Sequence, residues 1–278
     1  MPVRTRLIAG NWKMNRTAME TEQFLGRFDA EMGKAELLIC MPFTDLYLAE
    51  KYLAGTGIKW GAQNVYPAEK GAFTGEISPG MLKETGCSYV ICGHSERRQI
   101  LCESDEFVGK KVKIVLAYGM TPILCVGETL EERESGQMKT RLLEEMGVAL
   151  SGLSPEELLR TVIAYEPVWA IGVNGKPASE EYANSKHKVI KECLIDIFGE
   201  CGLEIPVLYG GSVNPQNADS LITQEYIDGL FVGRSAWNAE QFSSLIFKSI
   251  DTSILLILLS VKRLLLIFEI NSSKLLDI

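Results

Sequence analysis

Glu166 ends the apolar run 162–165, Val-Ile-Ala-Tyr, and is followed at once by Pro167 and an apolar loop that reaches Gly172. A carboxylate at the mouth of a buried strand, facing an apolar flap, suits a general base. Water exclusion raises its pKa, and closure of the flap shields the chemistry. The same stretch also reads as an ordinary strand-end acid before a Pro-marked turn. His94 follows another apolar run, 89–92, and opens a charged start, Ser95-Glu96-Arg97. Near a helix N-terminus an imidazolium meets the positive end of the dipole, so the ring stays neutral and donates one N–H. That suits an electrophile polarising a carbonyl; a satisfied structural histidine is the alternative. Lys13 stands beside Trp12 at the exit of the first apolar run, where it brings positive charge to the same mouth rather than to open surface. Gly210-Gly211-Ser212 and Gly233-Arg234-Ser235 follow the last two apolar runs. Glycines let backbone N–H groups turn toward an anion, and a helix start just beyond adds donors. Gly211, Ser212 and Gly233 are therefore a candidate phosphate clamp, although glycines at strand exits also serve as plain turns. A base, a neutral donor, a lysine and a phosphate site fit proton abstraction beside a carbonyl. Glu166 takes the proton from carbon, and His94 and Lys13 stabilise charge on the enediolate oxygens. The flap 167–176 closes on the phosphate and keeps the intermediate from losing it.

These residues need elements to place them. The apolar runs predict strands over 7–9, 37–41, 58–62, 89–92, 122–126, 162–165, 206–209 and 227–232. Helical patterning falls between them, over about 17–32, from 42, at 79–80, over about 105–118, up to about 150, over 178–198, from about 215, and last to about 250. That makes eight strand-then-helix units. The strands are short and apolar with little alternation, as strands covered on both faces are. Open doubly wound sheets also alternate strand and helix. Eight regular units in about 250 residues favour closure into a parallel (β/α)8 barrel, an α/β fold whose active residues sit at the C-terminal strand ends. Asn11, Lys13, His94, Glu166, Gly210 to Ser212 and Gly233 all fall there. No GxGxxG follows the first strand, which weakens a dinucleotide-binding reading.

Composition bounds the rest. The 278 residues are 46% hydrophobic, enough for one sizeable core, and the net charge of −8 argues against a nucleic-acid partner without excluding a local anion site. The seven cysteines form no CxxC pair and mostly sit in or beside apolar runs, so they read as reduced interior thiols of a cytoplasmic protein. With two histidines and no HExxH-like spacing, no metal site is expected, and no cofactor motif is found. The polar Asn11-Trp12-Lys13 comes too early for a signal peptide. His187, in Lys186-His187-Lys188, is assigned to the surface, and Glu128 to structural support.

The chain resembles the triosephosphate isomerase family. The resemblance rests on Gly10-Asn11-Trp12-Lys13-Met14-Asn15, Gly61-Ala62-Gln63-Asn64, the loop from Gly71 to Ser78, and Gly93-His94-Ser95-Glu96-Arg97-Arg98. It continues through Cys125-Val126-Gly127-Glu128-Thr129, the stretch from Ala164 to Gly172, and Tyr209-Gly210-Gly211-Ser212-Val213, spanning about residues 6–248. The resemblance implies a TIM barrel that interconverts dihydroxyacetone phosphate and D-glyceraldehyde 3-phosphate in glycolysis and gluconeogenesis without a cofactor. Asn11, Lys13, His94 and Glu166 match the family's active-site positions. The family is itself a reference case for a glutamate base beside a neutral histidine. Glu96 matches a glutamate set against the catalytic lysine, and Gly172 and Ser212 match phosphate-binding positions. Members are usually homodimers, in which a loop matching Phe73-Thr74-Gly75 reaches the partner's active site.

Three features depart from the family pattern. The flap ends Gly172-Val173-Asn174-Gly175-Lys176, one residue longer than the usual hinge. Arg234 stands where a second glycine is usual; its guanidinium could pair with phosphate or point to solvent. Both changes surround the substrate rather than the chemistry, and they leave room for a paralogue acting on a related sugar phosphate such as erythrulose phosphate. A non-catalytic barrel is the opposing class, but Lys13, His94 and Glu166 are all intact. The third departure divides the chain into a barrel domain, 1–250, and a tail, 251–278, rich in Leu and Ile and broken by Lys262-Arg263 before it reaches spanning length. The tail reads as sequence without an evolved role; membrane contact would need it to be amphipathic and exposed.

Overall fold

Both faces of the strands are apolar because both are covered. The computed structural model describes residues 6–28, 35–170 and 178–249. Its strands are β1 (Leu7–Asn11), β2 (Glu36–Met41), β3 (Lys59–Ala62), β4 (Tyr89–Cys92), β5 (Thr121–Val126), β6 (Val162–Tyr165), β7 (Val207–Tyr209) and β8 (Gly229–Val232). They pair in sequence order, all parallel, and β8 returns to β1 to close the barrel. Alternate side chains, among them Leu7, Ala9, Ile123, Cys125, Val162 and Ala164, form one cluster of their own, which the two-residue period of a strand places on the inner face. Their neighbours Ile8, Ile39, Val90, Leu124 and Ile163 join the second core, under the helices. Each such Leu, Ile or Val contributes about 1.5–3 kcal/mol when fully buried.

The helices are α1 (Ala18–Leu25), α2 (Leu46–Leu53), α3 (Pro79–Glu84), α4 (Ser95–Gln99), α5 (Asp105–Ala117), α6 (Leu130–Glu134), α7 (Met138–Ala149), α8 (Pro155–Leu159), α9 (Glu180–Phe198), α10 (Cys201–Glu204) and α11 (Ala218–Ile222). Residues 239–249 are helical as well. Local chemistry sets the starts. Thr17 with Glu20, Thr129 with Glu132, and Ser154 with Glu157 form capping boxes, and Ser179 caps α9. α1 is shorter than the expected 17–32, because Gly26 caps it; the end of that prediction, 29–32, lies outside the described residues. β8 begins two residues late. At its foot the Asp228 carboxylate accepts the Val207 N–H at 2.9 Å and lies 2.8 Å from Lys191 Nζ, so a side chain does the work of the ladder.

Two expectations are corrected here. His187 is not on the surface: it is fully buried, on the α9 stripe with Ala183, Ile190, Cys193 and Leu194. Helical spacing turns it inward between lysines that it separates, and its ring packs 5.7 Å from Tyr165 and 5.9 Å from Tyr209. Burial pushes its pKa down to about 3, so it is an uncharged core ring. The cysteines are all free, but Cys102 is exposed, in a left-handed turn at φ 56°, and Cys201 is only partly covered.

Candidate active site

The inner-face parity runs on past the strand ends, and it selects the site. Counting by twos, β1 leads from Leu7 and Ala9 to Asn11, and β6 from Val162 and Ala164 to Glu166. β5 leads to Gly127, β7 to Gly210 and β8 to Gly233. By the same count β3 leads from Gly61 to Gln63, so the mouth carries three polar side chains beside positions without side chains. Below them lie the small Ala9, Cys125 and Ala164, which leave depth. The result is a cavity of about 410 Å³ lined by Asn11, Lys13, His94, Glu166, Ser212 and Arg234, with Glu96 and Gly233 on the same wall. Asn11, His94 and Glu166 are each at most 5% exposed.

Lys13 is held in the left-handed region at φ 53°, an unfavourable conformation for a lysine. Its neighbours hold it there. Its N–H donates to Asn11 Oδ1 at 3.0 Å, and its carbonyl accepts from Gln63 Nε2 at 2.8 Å. Trp12, fully buried, anchors the preceding residue through its N–H to the Cys40 carbonyl at 3.1 Å. The Nζ rests 2.6 Å from Glu96 Oε1, so the lysine is a fixed charge rather than a solvated one.

His94 caps α4. Its Nδ1 accepts the Glu96 N–H at 3.2 Å, so that nitrogen is unprotonated and the ring proton sits on Nε2. Nε2 lies 2.9 Å from Glu166 Oε1, but the approach is poorly directed, and this buried nitrogen lacks a well-aligned hydrogen-bond partner. Glu166 Oε2 accepts the Ser95 N–H at 3.2 Å. The expected rise in the Glu166 pKa is reversed. Burial does push the carboxyl up, but the adjacent His94 ring, the Lys13 ammonium and the Ser95 N–H push it down and prevail, so it sits below its ordinary value.

Gly211, Ser212 and Gly233, the residues expected to clamp a phosphate, line the same cavity, as does the exposed Arg234. The helix starts expected behind them are weaker than the sequence suggested. α11 begins at Ala218 after a turn in which Asn214 Oδ1 accepts the Gln216 and Asn217 N–H groups, and Gly233 is followed by a 3₁₀ turn, Arg234–Trp237. The carbonyl of Ser212 is braced by Asn217 Nδ2 at 2.9 Å, and Ser235 Oγ donates to the Val213 carbonyl at 3.0 Å. Gly172 and the flap end 173–176 lie outside the described residues. Phe73, Thr74 and Gly75 are not part of this cavity; they stand exposed on the long loop after β3, with the Phe73 ring 4.3 Å from Tyr66.

Three residues were not singled out from the sequence: Gln63, which fixes Lys13, Ser95, which fixes the Glu166 carboxylate, and Gly127. A Cβ on Gly127 would lie 1.9 Å from the Glu166 carbonyl oxygen, so the strand exits of β5 and β6 touch backbone to backbone. Gln63 was within reach of the parity argument on β3; Ser95 acts through its backbone and left no side-chain signal. Glu128 does serve as support. Fully buried, it accepts from Tyr165 Oη at 3.1 Å and from Trp169 Nε1 at 2.9 Å, and its carbonyl takes the Val168 N–H at 3.1 Å. It anchors the chain just after Glu166. Trp169→Phe keeps the ring but leaves that carboxylate one donor short, and it should lower unfolding free energy by about 1.5–3 kcal/mol in urea titration.

A closed parallel barrel with a carboxylate, an imidazole and an ammonium converging on the C-terminal mouth beside glycine-lined loops has the build of a barrel enzyme. A family profile described as "Triosephosphate isomerase" matches residues 6–249. Proteins named triosephosphate isomerase from Aquifex aeolicus (strain VF5), Roseiflexus castenholzii (strain DSM 13941 / HLO8) and Dictyoglomus turgidum (strain DSM 6724 / Z-1310) are 48%, 47% and 46% identical to this chain. The matches cover 87%, 86% and 86% of it, and 98%, 96% and 98% of those proteins. The chain belongs to the triosephosphate isomerase family. Residues 250–278 lie beyond the family match. Among the described residues, no helix is long and apolar enough to cross a membrane, and no group of three or more His, Cys, Asp or Glu is placed to hold a metal ion.

Proposed function

We propose that the protein interconverts dihydroxyacetone phosphate and D-glyceraldehyde 3-phosphate in the cytoplasm, through an enediolate and without a cofactor. The observation that carries this is the Glu166 carboxylate 2.9 Å from His94 Nε2, at a cavity that Lys13 also lines. Glu166 removes the proton from the carbon beside the carbonyl and returns it to the neighbouring carbon. His94, with its proton on Nε2, and Lys13 stabilise the two oxygens as charge passes between them, and Asn11 orders the lysine. Glu96 holds the lysine ammonium when no substrate is present. Ser212, Gly233 and Arg234 take the phosphate, together with Gly172. The test is a coupled assay on glyceraldehyde 3-phosphate and erythrulose phosphate side by side. Rapid triose turnover supports the reading, and turnover confined to the four-carbon substrate overturns it.

The working unit is a homodimer in which the Phe73-Thr74-Gly75 loop reaches the partner's site. Support comes from the exposure of apolar side chains in the single chain, Phe73 on this loop at 41% and Met14 beside Lys13 at 96%. The catalytic domain is 1–250, and the tail 251–278 adds nothing to the reaction. A chain truncated after Ile250 should keep full turnover and the dimeric mass in sedimentation; loss of either refutes this division.

A further inference from the structure

A second cavity of about 210 Å³ shares one lining residue, Glu166, with the 410 Å³ mouth. Arg98, Arg141 and Glu145 on its wall belong to an ion ring that the reaction itself does not use. Arg98, on α4, pairs through Nη1 with Asp105, the first residue of α5. Arg141, on α7, lies 3.0 Å from the other Asp105 oxygen and 2.9 Å from Glu145 Oε1, and Glu145 returns to Arg98 Nε at 3.7 Å. The Arg98 and Glu145 side chains are 10% and 2% exposed, and burial pushes the Glu145 carboxyl up to about 7 against the pull of Arg98 and Arg141, so it carries its full charge only above that pH. A ring of paired charges that is only partly buried, with Arg141 27% and Asp105 16% exposed, is at best a weak source of stability, since desolvation and water offset most of the attraction. Its contacts to backbone suggest a different use.

Each of these two residues grips a strand exit. Arg98 Nε donates to the Gly93 carbonyl at 2.7 Å and Nη2 to the Cys125 carbonyl at 3.2 Å. Gly93 sits at φ 70°, and a Cβ there would lie 2.7 Å from Val108 and 3.0 Å from the Arg98 guanidinium, so the turn that launches His94 is closed against this side chain. Glu145 Oε2 accepts the Gly127 N–H at 2.9 Å. Gly127 is the residue that abuts the Glu166 carbonyl, and the Glu166 N–H is in turn bonded to Val126 at 2.8 Å. One ring thus holds the carbonyl immediately before His94 and the amide immediately against Glu166.

We infer that Arg98 and Glu145 are positioning residues, whose ring with Asp105 and Arg141 fixes the exits of β4 and β5 and thereby sets the spacing between the His94 imidazole and the Glu166 carboxylate. This rests on the reading of His94 and Glu166 as the reacting pair. Neither positioning residue lines the substrate cavity, so substrate affinity is untouched while the chemical step depends on the ring. Small misplacement of reacting groups is costly, up to about 100-fold in rate for a displacement near 1 Å.

The experiment compares Glu145→Gln, Arg98→Lys and Arg98→Met in the full chain, with Glu166→Gln in parallel. Turnover is scaled to folded protein by circular dichroism. The glutamine keeps an acceptor for the Gly127 N–H but cannot ionise, so rates are read above the Glu145 pKa of about 7, where the wild-type carboxylate is charged and pairs with both arginines. The expected result is a kcat reduced about 10-fold to 100-fold in Glu145→Gln and Arg98→Met with KM within about twofold, and partial recovery in Arg98→Lys. Unchanged kcat per folded molecule, even with a lowered melting temperature, makes the ring purely structural and overturns the inference. A rise in KM matching the fall in kcat/KM overturns it too, because the ring would then act on binding. If Glu166→Gln retains activity, the underlying reading of the site fails; if it is inactive while the ring variants are normal, only the positioning role fails.

Discussion

Glu166→Gln should lower kcat by about 10²- to 10⁴-fold, the range for removal of a positioned general base, with KM little changed. The amide matches the carboxylate in shape, and its oxygen can still accept the Ser95 N–H that now holds Oε2 at 3.2 Å. The cavity, the lysine and the phosphate loops are left in place, so substrate still binds. What is lost is the ability to take a proton from carbon. The wild-type pH profile carries a second expectation. The Glu166 carboxyl sits below its ordinary value, because the His94 ring, Lys13 and the Ser95 N–H together outweigh burial. A base must be ionised, so kcat/KM, expressed per substrate phosphate dianion to remove the phosphate's own titration at about 6, should hold level through neutral pH and fall only as acid reaches that depressed pKa. Measuring kcat/KM against pH in the wild type, and single-turnover rates in the variant, checks both. An acid limb above the usual carboxylate range, or a glutamine variant with near-normal kcat, would sink the assignment.

How much of this was visible in the sequence follows from the range of each interaction. The barrel was legible because its causes are local: short apolar runs at regular intervals, each with a cap or turn signal at its end, such as Thr129 with Glu132 or Ser154 with Glu157. Glu166, His94 and Lys13 were legible because a strand end is a place in sequence as well as in space. The sign of the Glu166 pKa was not. Burial by the apolar strand can be read from Val162 to Tyr165, but the groups that outweigh it come from 72, 153 and 71 positions away, at His94, Lys13 and Ser95, and are brought near only by barrel closure. His187 failed for a related reason. Its immediate neighbours are lysines, and only the 3.6-residue period over the whole of α9 puts it with Ala183 and Ile190 rather than with Lys186 and Lys188. The ring of Arg98, Asp105, Arg141 and Glu145 was hidden most deeply, since charge runs on helices look the same whether they face solvent or one another.

Lys13→Met should cost about 10²- to 10³-fold in kcat/KM, the scale for removal of one preorganised donor at a developing oxyanion. The methionine has a similar length and inherits the same backbone, so the left-handed φ of 53° is no worse tolerated than in the wild type, and the bonds from Gln63 and to Asn11 remain. Fold stability should therefore change little. Glu96 loses the ammonium at 2.6 Å, but its carboxylate is 48% exposed and water can replace that partner. The effect that separates a site lysine from a surface one is on the base. Lys13 is one of the charges that hold the Glu166 carboxyl down, so its removal must let the pKa rise, and the acid limb of kcat/KM should move to higher pH as the rate falls. A pH series on the wild type and Lys13→Met reads both quantities at once. If the rate falls but the limb stays put, the ammonium acts on substrate alone and its field does not reach Glu166. If neither moves, Lys13 has no part in the chemistry.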